Sequence, residues 1–389
     1  MLNLLVSSAK PPLLGSPGLR FFLLAMNLED LPTDILLKIL SYFPWKERAF
    51  PRGLVRLCFS FSYAAEFPAG FALNLCDTLR IRCPNLKSLV FDGEDARFAE
   101  NCSEIWSALS KLDLDSLDWP LYLPKYNPRE PPDLSVWSQW PGRIRSVSLR
   151  NLHADSEVLQ AMHDIADCNL EKLTISRVFV DERNIPPNLH IFSRLRVLKL
   201  WLLNGQVPWE HLGLSGELRF LYVDFNDEPI LWRSIQTVIS ANPYLTEMVL
   251  WNLYSDVGVD TLLKLASVSS LRKLTIGRLE WDRSSETLKS VKRRGSISPV
   301  EDLSLLVLGR LPETFFSALS KIFPNTKRLD LMLYTGSSEA KNTSSPSILR
   351  LPLLESLEMR RWGWIEGRPN WILETGSSLT EIVWNMQES

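Results

Sequence analysis

The sequence predicts an α/β fold: a short N-terminal helical module followed by a horseshoe solenoid of about twelve βα repeats. Three observations carry this. One hydrophobic unit recurs at near-constant spacing, the segments between its copies have helical periodicity, and leucine is in excess, 69 of 389 residues or about 18%. The hydrophobic fraction of 45% is ample for a core, which excludes wholesale disorder. With 43 basic against 45 acidic residues the net charge is −2. A dedicated nucleic-acid binder needs a basic face to neutralise phosphates, so that class is not expected.

The repeating unit is L-x-x-L-x-L. It stands at Leu86-Leu89-Phe91, Leu109-Leu112-Leu114, Ile144-Val147-Leu149 and Leu170-Leu173-Ile175. It continues at Leu195-Leu198-Leu200, Leu218-Leu221-Val223, Leu245-Met248-Leu250 and Leu271-Leu274-Ile276. The last four copies are Val300-Leu303-Leu305, Thr326-Leu329-Leu331, Leu354-Leu357-Met359 and Leu379-Ile382-Trp384. First positions are separated by 23, 35, 26, 25, 23, 27, 26, 29, 26, 28 and 25 residues. Within each unit the fourth and sixth residues flank a position that is often polar, the alternation of a half-buried strand.

Between the units the spacing turns helical, as in Val158, Leu159, Met162 and Ile165; Ile235, Val238 and Ile239; Leu262, Leu263 and Ala266; and Phe315, Phe316, Leu319 and Ile322. Several of these helices are expected to stop at a proline just before the next strand: Cys83-Pro84-Asn85-Leu86, Asn242-Pro243-Tyr244-Leu245 and Phe323-Pro324-Asn325. Proline cannot continue a helix and pushes its predecessor to extended backbone. Strand, turn, helix and turn in about 26 residues make one coil of a solenoid. Over roughly residues 80–389 the chain resembles leucine-rich-repeat proteins. It departs from them about three residues after the strand, where Asn or Cys is usual and Leu152, Leu203, Leu253 and Leu279 stand here, with Asn226 an exception. The stretch from Leu253 to Val259 resembles the turn of the cysteine-type repeat subclass.

Residues 1–25 carry a short apolar peak, Phe21 to Leu24, among breakers Pro11, Pro12, Gly15, Pro17 and Gly18. They are expected to form an unstructured leader, with Met26 as an alternative start. Residues 26–68 are the N-terminal module, and residues 69–389 the solenoid. In the module, Pro32 suits a first helical turn, where its missing N–H would be unpaired anyway. Ile35, Leu36, Ile39, Leu40 and Phe43 follow as one stripe. After a connector comes Leu57-Cys58-Phe59-Ser60-Phe61. This segment resembles the F-box, whose pattern opens on Leu-Pro, an acidic residue and paired Ile-Leu steps, then runs through Val-Cys-x-x-Phe. Leu57 stands here where Val is usual, and Pro51 and Gly53 alter the middle.

The resemblance implies a substrate-recognition subunit of an SCF-type ubiquitin ligase, bound through a Skp-type adaptor to a cullin–RING assembly. The adaptor-binding positions it carries over are Leu31, Pro32, Ile35, Leu36, Ile39, Leu40, Cys58 and Phe61, a helix-in-groove contact. A 40-residue helical module seldom stabilises itself, so part of this stripe is expected to serve a partner or the first repeats. A client protein is expected on the concave face, which the residues beside the fourth and sixth positions line. Trp201, Phe220, Tyr222 and Trp251 fall there, with Phe225 close by, and contiguous aromatics mark interaction sites. Arg360 and Arg361, beside Trp362 and Trp364, are a second candidate for reading acidic or phosphorylated clients. Ser296, in Arg293-Arg294-Gly295-Ser296, fits a basophilic kinase, with Ser298-Pro299 beside it.

Five Cys in an odd count with no C-x-x-C pair, and four scattered His, give neither a disulfide framework nor a zinc spacing. No apolar run approaches the roughly 18 residues that cross a bilayer. The 17 glycines contain no G-x-G-x-x-G cluster, and no nucleophile elbow or metal motif is legible. A non-catalytic protein of the cytoplasm or nucleus is expected, without cofactor or metal and with neither nucleic-acid nor membrane partner. The alternative is a leucine-rich scaffold, or a regulator of an enzyme, with a degenerate F-box. Two irregular loops interrupt the array: the proline-rich stretch between the second and third repeats, and residues 335–348, small and polar.

Overall fold

The computed structural model describes residues 2–8, 54–61, 66–67, 71–92, 97–98, 107–120, 144–150, 153–154, 169–176, 179–180, 194–203, 215–225, 232–251, 259–280, 298–308, 315–334, 347–362 and 371–387. The chain divides into two compact units, Met1–Val207 and Pro208–Ser389. Each is a parallel β-solenoid.

In the first unit the strands are β1 (Leu2–Ser8), β2 (Leu54–Phe61), β3 (Ser88–Asp92), β4 (Ser116–Pro120), β5 (Ser146–Arg150), β6 (Lys172–Ser176) and β7 (Val197–Leu203). They pair in chain order. β1 lies antiparallel on β2, and every later pair is parallel. Helix α1 (Phe71–Arg82) links β2 to β3. In the second unit β8 (Phe220–Phe225), β9 (Glu247–Trp251), β10 (Lys273–Glu280), β11 (Asp302–Leu308), β12 (Arg328–Tyr334), β13 (Ser356–Trp362) and β14 (Glu381–Gln387) pair in parallel, again in chain order. Helices α2 (Trp232–Ala241), α3 (Val259–Ala266) and α4 (Phe315–Ile322) run between them.

The register aligns equal motif positions. Leu221, Met248, Leu274, Leu303, Leu329, Leu357 and Ile382, each fourth in its unit, stand side by side across β8 to β14. From Leu57 to Leu357 every fourth-position residue is at most 4% exposed. Leucine at positions one, four and six therefore builds a continuous inner ladder, while odd positions three, five and seven turn outward. A repeated backbone device keeps this register. The carbonyl of the second residue accepts the second and third N–H groups of the next coil: Thr246 and Glu247 donate to Arg219 O at 2.9 and 3.0 Å, and Arg272 and Lys273 to Thr246 O at 2.8 and 3.0 Å.

The proline exits hold. Helix α1 stops at Arg82 before Cys83-Pro84, α2 at Ala241 before Asn242-Pro243, and α4 at Ile322 before Phe323-Pro324. Asn242 is fully buried and secures one such exit. Its Nδ2 donates to Val238 O at 2.7 Å, and its Oδ1 accepts from Leu218 N at 3.0 Å. Of the expected helical-face residues, Ile235, Val238, Leu262, Leu263, Ala266, Phe315, Phe316, Leu319 and Ile322 are buried and Ile239 is half-buried, while Val158, Leu159, Met162 and Ile165 lie outside the described residues.

Four expectations change. The second repeat is Leu114-Leu117-Trp119, because β4 starts at Ser116 while Leu109 ends a helical turn and Leu112 lies in the bend before the strand. Its spacings become 28 and 30 residues, more regular than 23 and 35; the tryptophan at position six had hidden the frame. The segment that the F-box resemblance implies to be helical is strand β2, and its Leu54-x-x-Leu57-x-Phe59 is one more copy of the repeat, with Leu57 paired to Leu89. Leu2–Ser8, expected in an unstructured leader, form β1 on the far side of β2. Finally, a helix does not return every coil. Ser347–Leu351 and Trp371–Thr375 are short parallel strands on the returning side, as are the two-residue pairs 66–67 with 97–98 and 153–154 with 179–180.

Candidate protein-binding face

The sheet's odd positions form the surface that the leucine ladder leaves over. In the second unit, β8 and β9 place Phe220 beside Glu247, Tyr222 beside Val249 and Asp224 beside Trp251. Alternation puts all six on one face. Phe220, Tyr222 and Trp251 are half-buried, so part of each ring remains open to solvent. The Tyr222 hydroxyl is pushed up to about 12, first by burial and then by the carboxylate of Asp224, which also accepts its hydrogen bond. Asp224 itself is 9% exposed.

Trp251 is held by a gap in the next strand. A Cβ on Gly277 would meet Trp251 Cε3 at 2.2 Å and Cδ2 at 2.7 Å. The indole therefore lies against the Gly277 backbone, in the space that any other residue would fill.

The charged end of this face is tied to itself. Arg360 Nη2 donates to Asp330 Oδ2 at 2.9 Å, Ser304 Oγ donates to the same oxygen at 3.2 Å, and Arg360 Nε lies 2.9 Å from Glu358 Oε1. Burial raises the Asp330 carboxyl more than Arg360 and Ser304 lower it. The third positions carry an alternating ladder: Glu247 pairs with Lys273 at 3.1 Å and Asp302 with Arg328 at 3.2 Å, and Ser356 Oγ donates to Glu381 at 3.0 Å. One row over, Lys327 and Glu301 pair at 2.8 Å, which lowers the Glu301 carboxyl and raises the Lys327 ammonium.

In the first unit Trp201 ends the outward series Val197, Lys199 and Trp201 of β7, and it is 49% exposed. Lys172 stands on the adjoining strand, opposite Val197. Burial and then the Lys172 charge lower the Lys199 ammonium.

Of the client-binding candidates, Phe220, Tyr222 and Trp251 come together on two neighbouring strands, while Trp201 belongs to the other unit. Phe225 and Arg361 end the alternation in the phase of Leu221 and Leu357, and their side chains lie outside the described residues. Arg360 is engaged by two carboxylates rather than held open for an anion. Leu31, Pro32, Ile35, Leu36, Ile39, Leu40 and Ser296 all lie outside the described residues. Cys58 and Phe61 fall on β2. Sequence reading missed Asp224, Gly277, Asp330 and Glu358, although the odd-position rule that selects Tyr222 selects them too. Among the described residues no cluster of His, Cys, Asp and Glu could hold a metal, and no helix is long and apolar enough to cross a membrane. No family model matches this chain, and comparison with curated proteins finds no match.

Proposed function

We propose that this chain is a non-catalytic protein receptor whose outward sheet face holds a client protein, and that it works as the substrate-recognition subunit of an SCF-type ubiquitin ligase. One observation carries the first half. The core is complete with positions one, four and six, yet Phe220, Tyr222 and Trp251 place rings on the opposite, outward face. Aromatics that the core does not require are the residue types that anchor protein interfaces. The expected test is a client captured by the full chain and lost on Tyr222→Ala together with Trp251→Ala, with circular dichroism unchanged. Loss of folding in that variant would make these residues core and end the client-face reading.

The ligase half rests on the Leu31-Pro32 opening and the Ile35, Leu36, Ile39 and Leu40 stripe, which would seat on a Skp-type adaptor and bring the client's lysines close to a charged conjugating enzyme. Cys58 and Phe61 support it less, because β2 takes them into the solenoid. Co-purification with the adaptor, abolished by Ile35→Asp with Leu36→Asp, is the expected result. Its absence in the unsubstituted chain would leave the second reading, a leucine-rich scaffold or enzyme regulator without ligase coupling. β2 is the observation that favours this alternative.

A further inference from the structure

The outward face of the second unit continues past its aromatic end. Position seven of successive coils holds Trp251, Gly277, Leu306 and Met332, and the register sets Leu306 beside Met332. Trp251, Leu306 and Met332 are half-buried, although the inner ladder is complete without them. Gly277 adds no side chain, and the Trp251 indole occupies the space over it. β9 to β12 thus carry one apolar strip that runs across the strands, a kind of surface that marks an interaction site. The strip ends at Arg360, which the register places beside Met332. Charge is balanced along the flank but not at this end. Among the described side chains at positions three, five and seven of β9 to β13, Glu247 is paired with Lys273 and Asp302 with Arg328. Asp330 and Glu358 instead share the one guanidinium of Arg360, and Asp330 Oδ1 is buried and accepts no hydrogen bond among the described residues. The surplus charge therefore lies at the Met332 end of the strip, and it is negative.

We infer that this strip seats an amphipathic helix of the client, laid across the strands, whose end at Met332 carries a lysine or arginine; the inference rests on the reading of this face as a client surface. Neighbouring strands lie about 4.8 Å apart, so the steps from Trp251 on β9 to Met332 on β12 span about 14 Å. That is about ten residues, or close to three turns, of helix. Apolar residues at i, i+3 or i+4 and i+7 stand about 5–6 Å apart on one helix face, which gives one anchor for each strand crossed. An extended segment fits less well. The face of a sheet offers no backbone partners, so its N–H and C=O groups would be buried unpaired against Leu306 and Met332, whereas a helix satisfies its own. The flexible thioether of Met332 can adapt to the side chains laid on it. A cation beside Asp330 and Glu358 supplies the balance that Arg360 alone does not, and a glutamate there would meet like charge.

The test uses three fluorescent synthetic peptides of about fourteen residues, long enough for the required turns. The first has leucine at helical spacing and lysine in its last turn. The second has glutamate in place of lysine, and the third is the lysine peptide broken by two prolines, which cannot become helical. Fluorescence anisotropy with the full chain should rank the lysine peptide above the glutamate peptide roughly tenfold or more, and the proline peptide should not bind. Leu306→Ser with Met332→Ser should weaken the lysine peptide roughly tenfold. Asp330→Asn with Glu358→Gln should erase its advantage over the glutamate peptide. In a tethering readout, Met332→Cys chains should form a disulfide on oxidation with a lysine peptide whose cysteine replaces the leucine nearest the lysines, and not with one whose cysteine replaces the farthest leucine. A glutamate or proline peptide that binds as well as the lysine peptide, or a lysine peptide indifferent to the serine pair, overturns the inference. If the serine pair fails to fold, the tether decides alone, and equal tethering at both ends or at neither rejects the seated helix. A client captured by the full chain and lost on Tyr222→Ala with Trp251→Ala, together with no peptide binding, rejects the helix and keeps the client face. Failure of both rejects both.

Discussion

Gly277 and Trp251 show how a missing side chain shapes the candidate surface. With a Cβ at position 277 the indole must swing out, and overpacking of this kind costs about 1–3 kcal/mol. Gly277→Ala should therefore lower stability in thermal unfolding, while in a Trp251→Ala background the same change should cost little. Equal losses in both backgrounds would place the strain in the backbone instead. Raised and lowered groups on this sheet carry opposite pH signatures. Tyr222 is raised to about 12, so its contribution is complete below the ordinary phenol range and declines as pH climbs toward 12. Tyr222→Phe should remove that alkaline loss in a stability–pH titration. Asp330 is also raised, so the native state takes up its proton first. Its protonation favours folding as pH falls through the raised value, whereas Glu301, which is lowered, loses its contribution on acidification. Asp330→Asn should flatten the first of these dependences.

At the scale of elements, the motif position decides what a side chain contributes. Leu274 and Leu303 are essentially inaccessible, and truncation of either to alanine should cost about 2–5 kcal/mol. Ile382→Ala occupies the same motif position but should cost under about 1 kcal/mol in dilute solution, since most of the side chain is already in water. Chemical denaturation of the three variants checks this contrast. Much of this level was legible in the sequence. The helix exits at Pro84, Pro243 and Pro324, the buried faces of α2, α3 and α4, and nearly all strand frames follow from local chemistry. Two frames were not legible. Trp119 disguised the second repeat, because a leucine template also fits Leu109-Leu112-Leu114 five residues earlier. Leu54-Leu57-Phe59 satisfies the repeat and a helical motif equally well, since three residues separate both helical neighbours and the first and fourth positions of the repeat, and pairing with Leu89 decides for the strand.

For the molecule as a whole, each coil of a solenoid touches only its neighbours, so stability is a sum of local terms and the rims are weakest. In the second unit, amide exchange should be fastest in β14, which has one described partner strand, and slowest in β10 to β12, which have two. Equal protection across these strands would mean that the rim at β14 is covered. The division at Val207 also falls inside what the sequence presents as one array. Period and composition report the repeat, but they do not report this division.

The sequence by itself determined the repeat, the inner leucine ladder and the proline-terminated helices, because each depends on residues within one coil of about 26. It also singled out Phe220, Tyr222 and Trp251 by parity alone. Only the tertiary structure decided which outward residues are already engaged by neighbouring strands. The Arg360 contacts with Asp330 and Glu358, the fit of Trp251 over Gly277, the antiparallel β1 and the uncovered Ile382 all join residues from different coils. Lateral register between coils is fixed by backbone hydrogen bonds and not by local pattern, so no reading along the chain reaches it.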